Sequence, residues 1–93
     1  MTGLWVRLVR KNRIMRDVTV PCAREAWQEA LEEACKMLDV PRPLLLPAHE
    51  RDFEAFSQTR FLKDHFVEEV PFDRMETEWI SPQAKKKVNE AYL

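Results

Sequence analysis

The sequence predicts a small α+β domain, in which an antiparallel sheet carries one long helix on one face, with a short second helix. Three observations favour this class. Two alternating apolar–polar stretches open the chain, a long stretch with helical periodicity follows them, and a third alternating stretch lies near the C-terminus. A chain of 93 residues is long enough for one core. We expect a single compact domain over residues 1–80 and a short C-terminal helix or tail over residues 81–93.

The first two strands are predicted over residues 4–9 and 14–20, where β-branched and aromatic residues alternate with charged ones. The short polar segment between them contains Asn12, which tolerates a positive φ, and this indicates a β-hairpin. The side chains of the first strand that we expect to face the core are Leu4, Val6 and Leu8. In the second strand Arg16 falls on the side of the apolar residues. A β-bulge, an open sheet edge or an inward ion pair would each explain that placement.

Apolar residues recur at spacings of three and four from residue 22 to residue 38, which predicts the long helix. Prolines at 41, 43 and 47 then predict an extended connector whose three leucines, residues 44–46, plug the core. The second helix is predicted over residues 48–56. Residues 57–72 follow no clean period, so a short helix around 62–67 and an irregular chain both stay open.

Residues 73–80 alternate again and predict the third strand. We pair it with the first strand, which places residues 4–9 in the middle of the sheet. Glu76 and Glu78 then run beside Arg7, a favourable arrangement of opposite charges across strands.

Charge is divided by position along the chain. Residues 1–16 carry five cations and no acid, residues 17–80 carry fifteen acids and seven cations, and the last thirteen residues have a net charge of +2. A near-neutral total therefore hides a basic hairpin on an acidic body, and charge asymmetry of this kind points to a partner. The alternative is that these cations are solvated or are paired with the acids of the body.

We expect a non-enzymatic interaction module that docks to a protein partner, or to a second copy of itself, through the sheet edge or the outer sheet face. The residues assigned to partner binding are Trp5, Arg7, Arg10, Lys11, Arg13 and Arg16. Trp5, Val9 and Met15 form an exposed apolar patch on the outer face unless the connector covers it. The alternative function is a nucleic-acid-binding module that uses the same cations on phosphates, although a pI of 6.1 argues against a dedicated one.

Catalytic and metal sites are not expected, and neither is a cofactor. His49 and His65 both lie beside carboxylates, but their spacing matches no metal signature. The single glycine excludes glycine-rich phosphate loops, and the serines and thiols lack a recognisable base. These observations argue against an enzyme.

A soluble, cytoplasmic protein is expected, without membrane association. Arg7 and Arg10 interrupt the apolar run at the N-terminus before it reaches the length of a secretory signal. Cys22 and Cys35 are expected on one helix at roughly 20 Å from each other, which is too far for a disulfide and suits two reduced thiols.

Overall fold

A computed structural model describes residues 2–81 and shows a four-stranded antiparallel sheet with two α-helices. The elements are β1 (Gly3–Arg10), β2 (Arg13–Pro21), α1 (Trp27–Leu38), α2 (Pro47–Phe56), β3 (Gln58–Leu62) and β4 (Arg74–Ile80). The strands lie in the order β2-β1-β4-β3. The predicted α+β class is thus confirmed, with β1 between β2 and β4. The C-terminal helix or tail lies, from residue 82 onward, outside the described residues.

The hairpin closes through Lys11 and Asn12, whose φ values of 52° and 63° are those of the two-residue turn that matches strand twist. Beyond the turn Leu8 opposes Arg16 but Val9 opposes Ile14, so Met15 is the extra residue of a bulge. Two of the alternatives offered for Arg16, a bulge and an open sheet edge, are therefore both present.

Both helices cover the same face of the sheet, and the core lies between them. Leu4, Val6 and Leu8 of β1 are buried as expected, together with Phe61 of β3 and Met75 of β4. Trp27 of α1 stacks on Phe53 of α2, with ring centroids 4.1 Å apart, and this contact joins the two helices. Among the described residues, no helix lies on the opposite face of the sheet. No helix within residues 2–81 is long and apolar enough to cross a membrane.

Three expectations about individual segments of the chain were wrong. Residues 58–62 form a fourth strand, which is marked in the sequence only by the inward-facing Thr59 and Phe61. The leucines at 44–46 do not plug the core, because they are 37–48% exposed. Cys22 does not share a helix with Cys35, because the Cys22 N–H donates to the Thr2 carbonyl and prolongs the β1–β2 ladder. A 3-10 turn at Arg24–Ala26 then leads into α1.

Candidate interaction surface on the β1–β2 hairpin

A row of alternating charges crosses the outer face of the sheet, the face opposite α1 and α2. Strand register aligns Asp17, Arg7, Glu76 and Arg60, one from each strand. Arg7 Nε donates to Glu76 Oε1 at 2.6 Å, and Arg7 Nη1 donates to Glu78 Oε1 at 3.2 Å. This is the cross-strand arrangement expected from the sequence. Arg7 is consequently neutralised within the domain and is 16% exposed, so it is withdrawn from partner binding.

Glu76 is the acceptor that joins two arginines. Its second oxygen accepts from Arg74 Nε at 2.7 Å, while its first accepts from Arg7. Burial alone raises the pKa of Glu76, but the hydrogen bonds and charges of Arg74 and Arg7 outweigh burial, so the pKa lies below its ordinary value. The lowered pKa favours the ionised carboxylate, and its contact with Arg7 joins β4 to β1.

Trp5, the predicted aromatic anchor, is engaged within the domain. The Arg7 guanidinium lies 4.2 Å above its ring, and its indole N–H donates to Asp17 Oδ2 at 2.8 Å. Val9, expected to be exposed beside it, is 3% exposed. Of the predicted apolar patch, Met15 is exposed and Trp5 is half-buried. The outer face is thus largely closed by its own side chains.

Arg16 is also committed to an internal contact. Its Nη1 donates to the carbonyl of Leu38 at 2.9 Å, at the C-terminal end of α1. A cation at this end of a helix satisfies a carbonyl that has no partner in the helix and complements the helix dipole. The partner is a backbone carbonyl, whereas the inward alternative in the sequence was an acid.

The hairpin tip, defined as residues 10–15, behaves differently. Arg10, Lys11 and Arg13 are exposed, and within residues 2–81 no acid pairs with their side chains. The carboxylate of Asp73 accepts the backbone N–H of Lys11 at 2.7 Å and so fixes the turn without neutralising the ammonium group. This bond ties the turn to the body, while no acid within residues 2–81 neutralises the three cations.

Two exposed apolar residues adjoin these cations: Met15, which the sequence placed in the outer patch, and Ile14, which it did not assign to the surface. Ile14 is 52% exposed and Met15 is 44% exposed. The bulge explains both, because it shifts the register and leaves Met15 without a residue opposite. The signal that could have identified Ile14 as a surface residue was the misplacement of Arg16 in the alternating pattern. The tip therefore combines positive charge with apolar area.

His49 and His65 converge, with ring centroids 4.6 Å apart and planes almost perpendicular. Each Nδ1 accepts the backbone N–H of the residue three positions earlier, Leu46 at 3.0 Å and Leu62 at 2.9 Å. Burial and then the charge of His65 lower the pKa of His49. Among residues 2–81 no group of three or more His, Cys, Asp or Glu could hold a metal ion. The two rings therefore act as caps for two helical turns.

A cleft of about 380 Å³ lies at the β3 side of the charge row. It is lined by Arg7, Asp52, Phe56, Gln58, Thr59, Arg60, Glu76 and Thr77. The Thr59 hydroxyl donates to Asp52 Oδ2 at 3.3 Å, and no histidine or cysteine is among the lining residues that the structure describes. Apart from Phe56, the side chains that line the cleft are charged or polar.

Comparison of the chain with models of known protein families, with curated proteins and with solved structures finds no match.

Proposed function

We propose that this chain is a non-enzymatic, cytoplasmic interaction module that docks an acidic protein partner on its hairpin tip. The observation that supports this most strongly is the division among the six predicted binding residues. Arg7 and Arg16 are used inside the domain, whereas Arg10, Lys11 and Arg13 have no acid partner within residues 2–81.

The tip concentrates like charge where the fold gains nothing from it. Arg10 and Arg13 lie directly opposite each other across the turn, and like charges in that position destabilise a hairpin. An acidic partner relieves this repulsion and is attracted over a distance by the same charges. Ile14 and Met15 add apolar area beside the charges, as the centre of a protein interface requires.

Nucleic-acid binding by the same cations is the alternative, and two observations weigh against it. Trp5, the aromatic residue available for base stacking, is covered by Arg7 and bonded to Asp17. The body over residues 17–80 carries fifteen acids against seven cations, a net charge of −8 that repels a phosphate backbone. A protein surface with a local acidic patch meets the tip without meeting the body.

The test compares two probes, poly-glutamate and a single-stranded oligonucleotide of similar charge. The proposed function predicts tighter binding of poly-glutamate, and the alternative predicts tighter binding of the oligonucleotide. Replacing Arg10, Lys11 and Arg13 together by Gln removes three charges of about 0.5 kcal/mol each, so poly-glutamate affinity falls about tenfold at low salt. Fluorescence anisotropy of the labelled probe measures this directly.

The matched control replaces three exposed cations of the body, Lys36, Arg51 and Arg60, by Gln. It makes the same change in net charge and leaves poly-glutamate affinity within about twofold of the parent. Equal losses in both triple variants would show that net charge, and not the tip, governs binding. Tighter binding of the oligonucleotide than of poly-glutamate would favour the nucleic-acid alternative, and binding of neither probe would contradict both.

A further inference from the structure

β2 is an edge strand, and the hydrogen-bond pattern identifies which of its backbone groups face outward. The Cys22 N–H donates to the Thr2 carbonyl, so residues 2 and 22 form a hydrogen-bonded pair. Such pairs alternate along an antiparallel ladder. The Asp73 N–H reaches the carbonyl of Val9 from the other side, as expected if the odd residues of β1 bond to β4. It follows that Val18 and Val20 bond to β1, while the N–H groups of Asp17 and Thr19 point away from the sheet.

The usual protections of an edge strand limit this free edge without closing it. Bulges and prolines are common edge guards, and here the bulge at Met15 lies at one end and Pro21 at the other. Charged side chains in the middle of the strand are a third guard, but Arg16 is folded back onto the Leu38 carbonyl and the Asp17 carboxylate accepts the Trp5 indole N–H on the outer face. Within residues 2–81, the outer side of the backbone over residues 16–20 therefore stays open as a window for a further strand.

One exposed apolar side chain, that of Met37, flanks this window on the helix side. Glu32 pairs with Arg42 of the connector at 3.2 Å, so that flank of α1 faces the connector. Met37 lies roughly 140° around the helix from Glu32, on the flank toward β2, and it is 53% exposed. A strand laid along residues 16–20 would thus have Met37 on its helix side and Met15 at the bulge end of the window.

From these observations, and resting on the function proposed above, we infer that the partner contributes an extended acidic segment which adds to the sheet as a fifth strand beside β2. Backbone hydrogen bonds to Asp17 and Thr19 hold the segment, its acidic residues meet the cations of the tip, and its apolar residues cover the exposed methionines. The opposite edge, β3, is five residues long against nine for β2. The longer edge that adjoins the free cations is the one that fits this partner.

The probe for this inference is a capped peptide with the alternating sequence Glu-Val-Glu-Val-Glu-Val-Glu. Amide hydrogen exchange followed by NMR reads the edge directly. In the free protein the amides of Asp17 and Thr19 exchange fast and those of Val18 and Val20 exchange slowly. With the peptide bound, exchange at Asp17 and Thr19 slows by about tenfold or more.

A matched pair of variants separates backbone pairing from contact by side chains. Thr19→Pro removes an outward N–H, which an edge strand tolerates, and it lowers peptide affinity by about tenfold. Thr19→Val keeps the N–H and leaves affinity within about twofold. Far-UV circular dichroism establishes that the proline variant is folded. If it is not, a peptide N-methylated at alternate residues carries the same test from the partner's side, with the same loss expected.

The outcomes distinguish this inference from the function on which it rests. Binding of poly-glutamate or of the peptide that depends on the tip, with unchanged exchange at Asp17 and Thr19, overturns the fifth strand and leaves the docking function standing. Absence of tip-dependent binding of either probe overturns the docking function. Slowed exchange at both amides, lost with the N-methylated peptide, supports the fifth strand.

Discussion

Replacing Arg7 by Met tests whether the outer sheet face is closed by its own charges. Methionine keeps an unbranched stem over Trp5 but removes the guanidinium group. The variant loses the hydrogen bonds to Glu76 at 2.6 Å and Glu78 at 3.2 Å, and the cation–π contact at 4.2 Å. These contacts all lie within the domain and stabilise its folded state, so their loss should lower the free energy of unfolding.

The magnitude follows from the geometry. A hydrogen bond between charged groups contributes about 1.5–3 kcal/mol, and a cation–π contact near the surface contributes about 0.5–1 kcal/mol. The side chains of Arg7, Glu76 and Glu78 are 16%, 24% and 36% exposed, so solvent screens the ion pairs in part. Glu76 also keeps its bond to Arg74. We expect a net loss of about 2 kcal/mol, which lowers the Tm by about 8–16 °C in a domain of this size.

Urea unfolding followed by tryptophan fluorescence measures the loss, with an unchanged slope as the sign that the compactness of both states is the same. The control is Arg10→Met, which makes the same chemical change at an exposed residue with no acid partner within residues 2–81. It should alter the free energy of unfolding by no more than about 0.5 kcal/mol. If the two variants were equally stable, Arg7 would contribute nothing to the fold and would return to the candidate surface.

Three further predictions concern the core and its thiols. Because burial and then the charge of His65 lower the pKa of His49 below its ordinary 6.5, stability is full above that pH and is lost as the pH falls through the folded-state pKa; His49→Gln should flatten a series of urea midpoints measured across this range. Gly3→Ala should destabilise the domain by about 1–3 kcal/mol, because a Cβ there would lie 2.9 Å from a backbone carbonyl oxygen of β2; an unchanged Tm would contradict this. Burial raises the pKa of Cys35 to about 11, so iodoacetamide should modify Cys22 well before Cys35, as mass spectrometry of partly labelled protein would show.

The sequence predicted those elements whose apolar residues repeat regularly over a long stretch. Strands β1, β2 and β4 alternate over seven to nine residues, and α1 repeats its apolar side chains at helical spacing. Each of these elements can therefore be recognised from its own residues. The five residues of β3 do not, because Thr59 and Phe61 are too few to establish a period. They form a strand because the edge of β4 lies beside them and pairs with their backbone.

The candidate surface, too, could be predicted only in part from the sequence. The amino-acid order alone determined that a basic hairpin stands on an acidic body, because it places five cations in the first sixteen residues. Only the tertiary structure decided which of them are free, since pairing depends on strand register: register brings Glu76 beside Arg7 and carries Arg16 to the end of α1, and it offers Arg10 and Arg13 no acid within residues 2–81. Charge is a property of each residue, whereas its neutralisation is a property of contacts between residues distant in the chain.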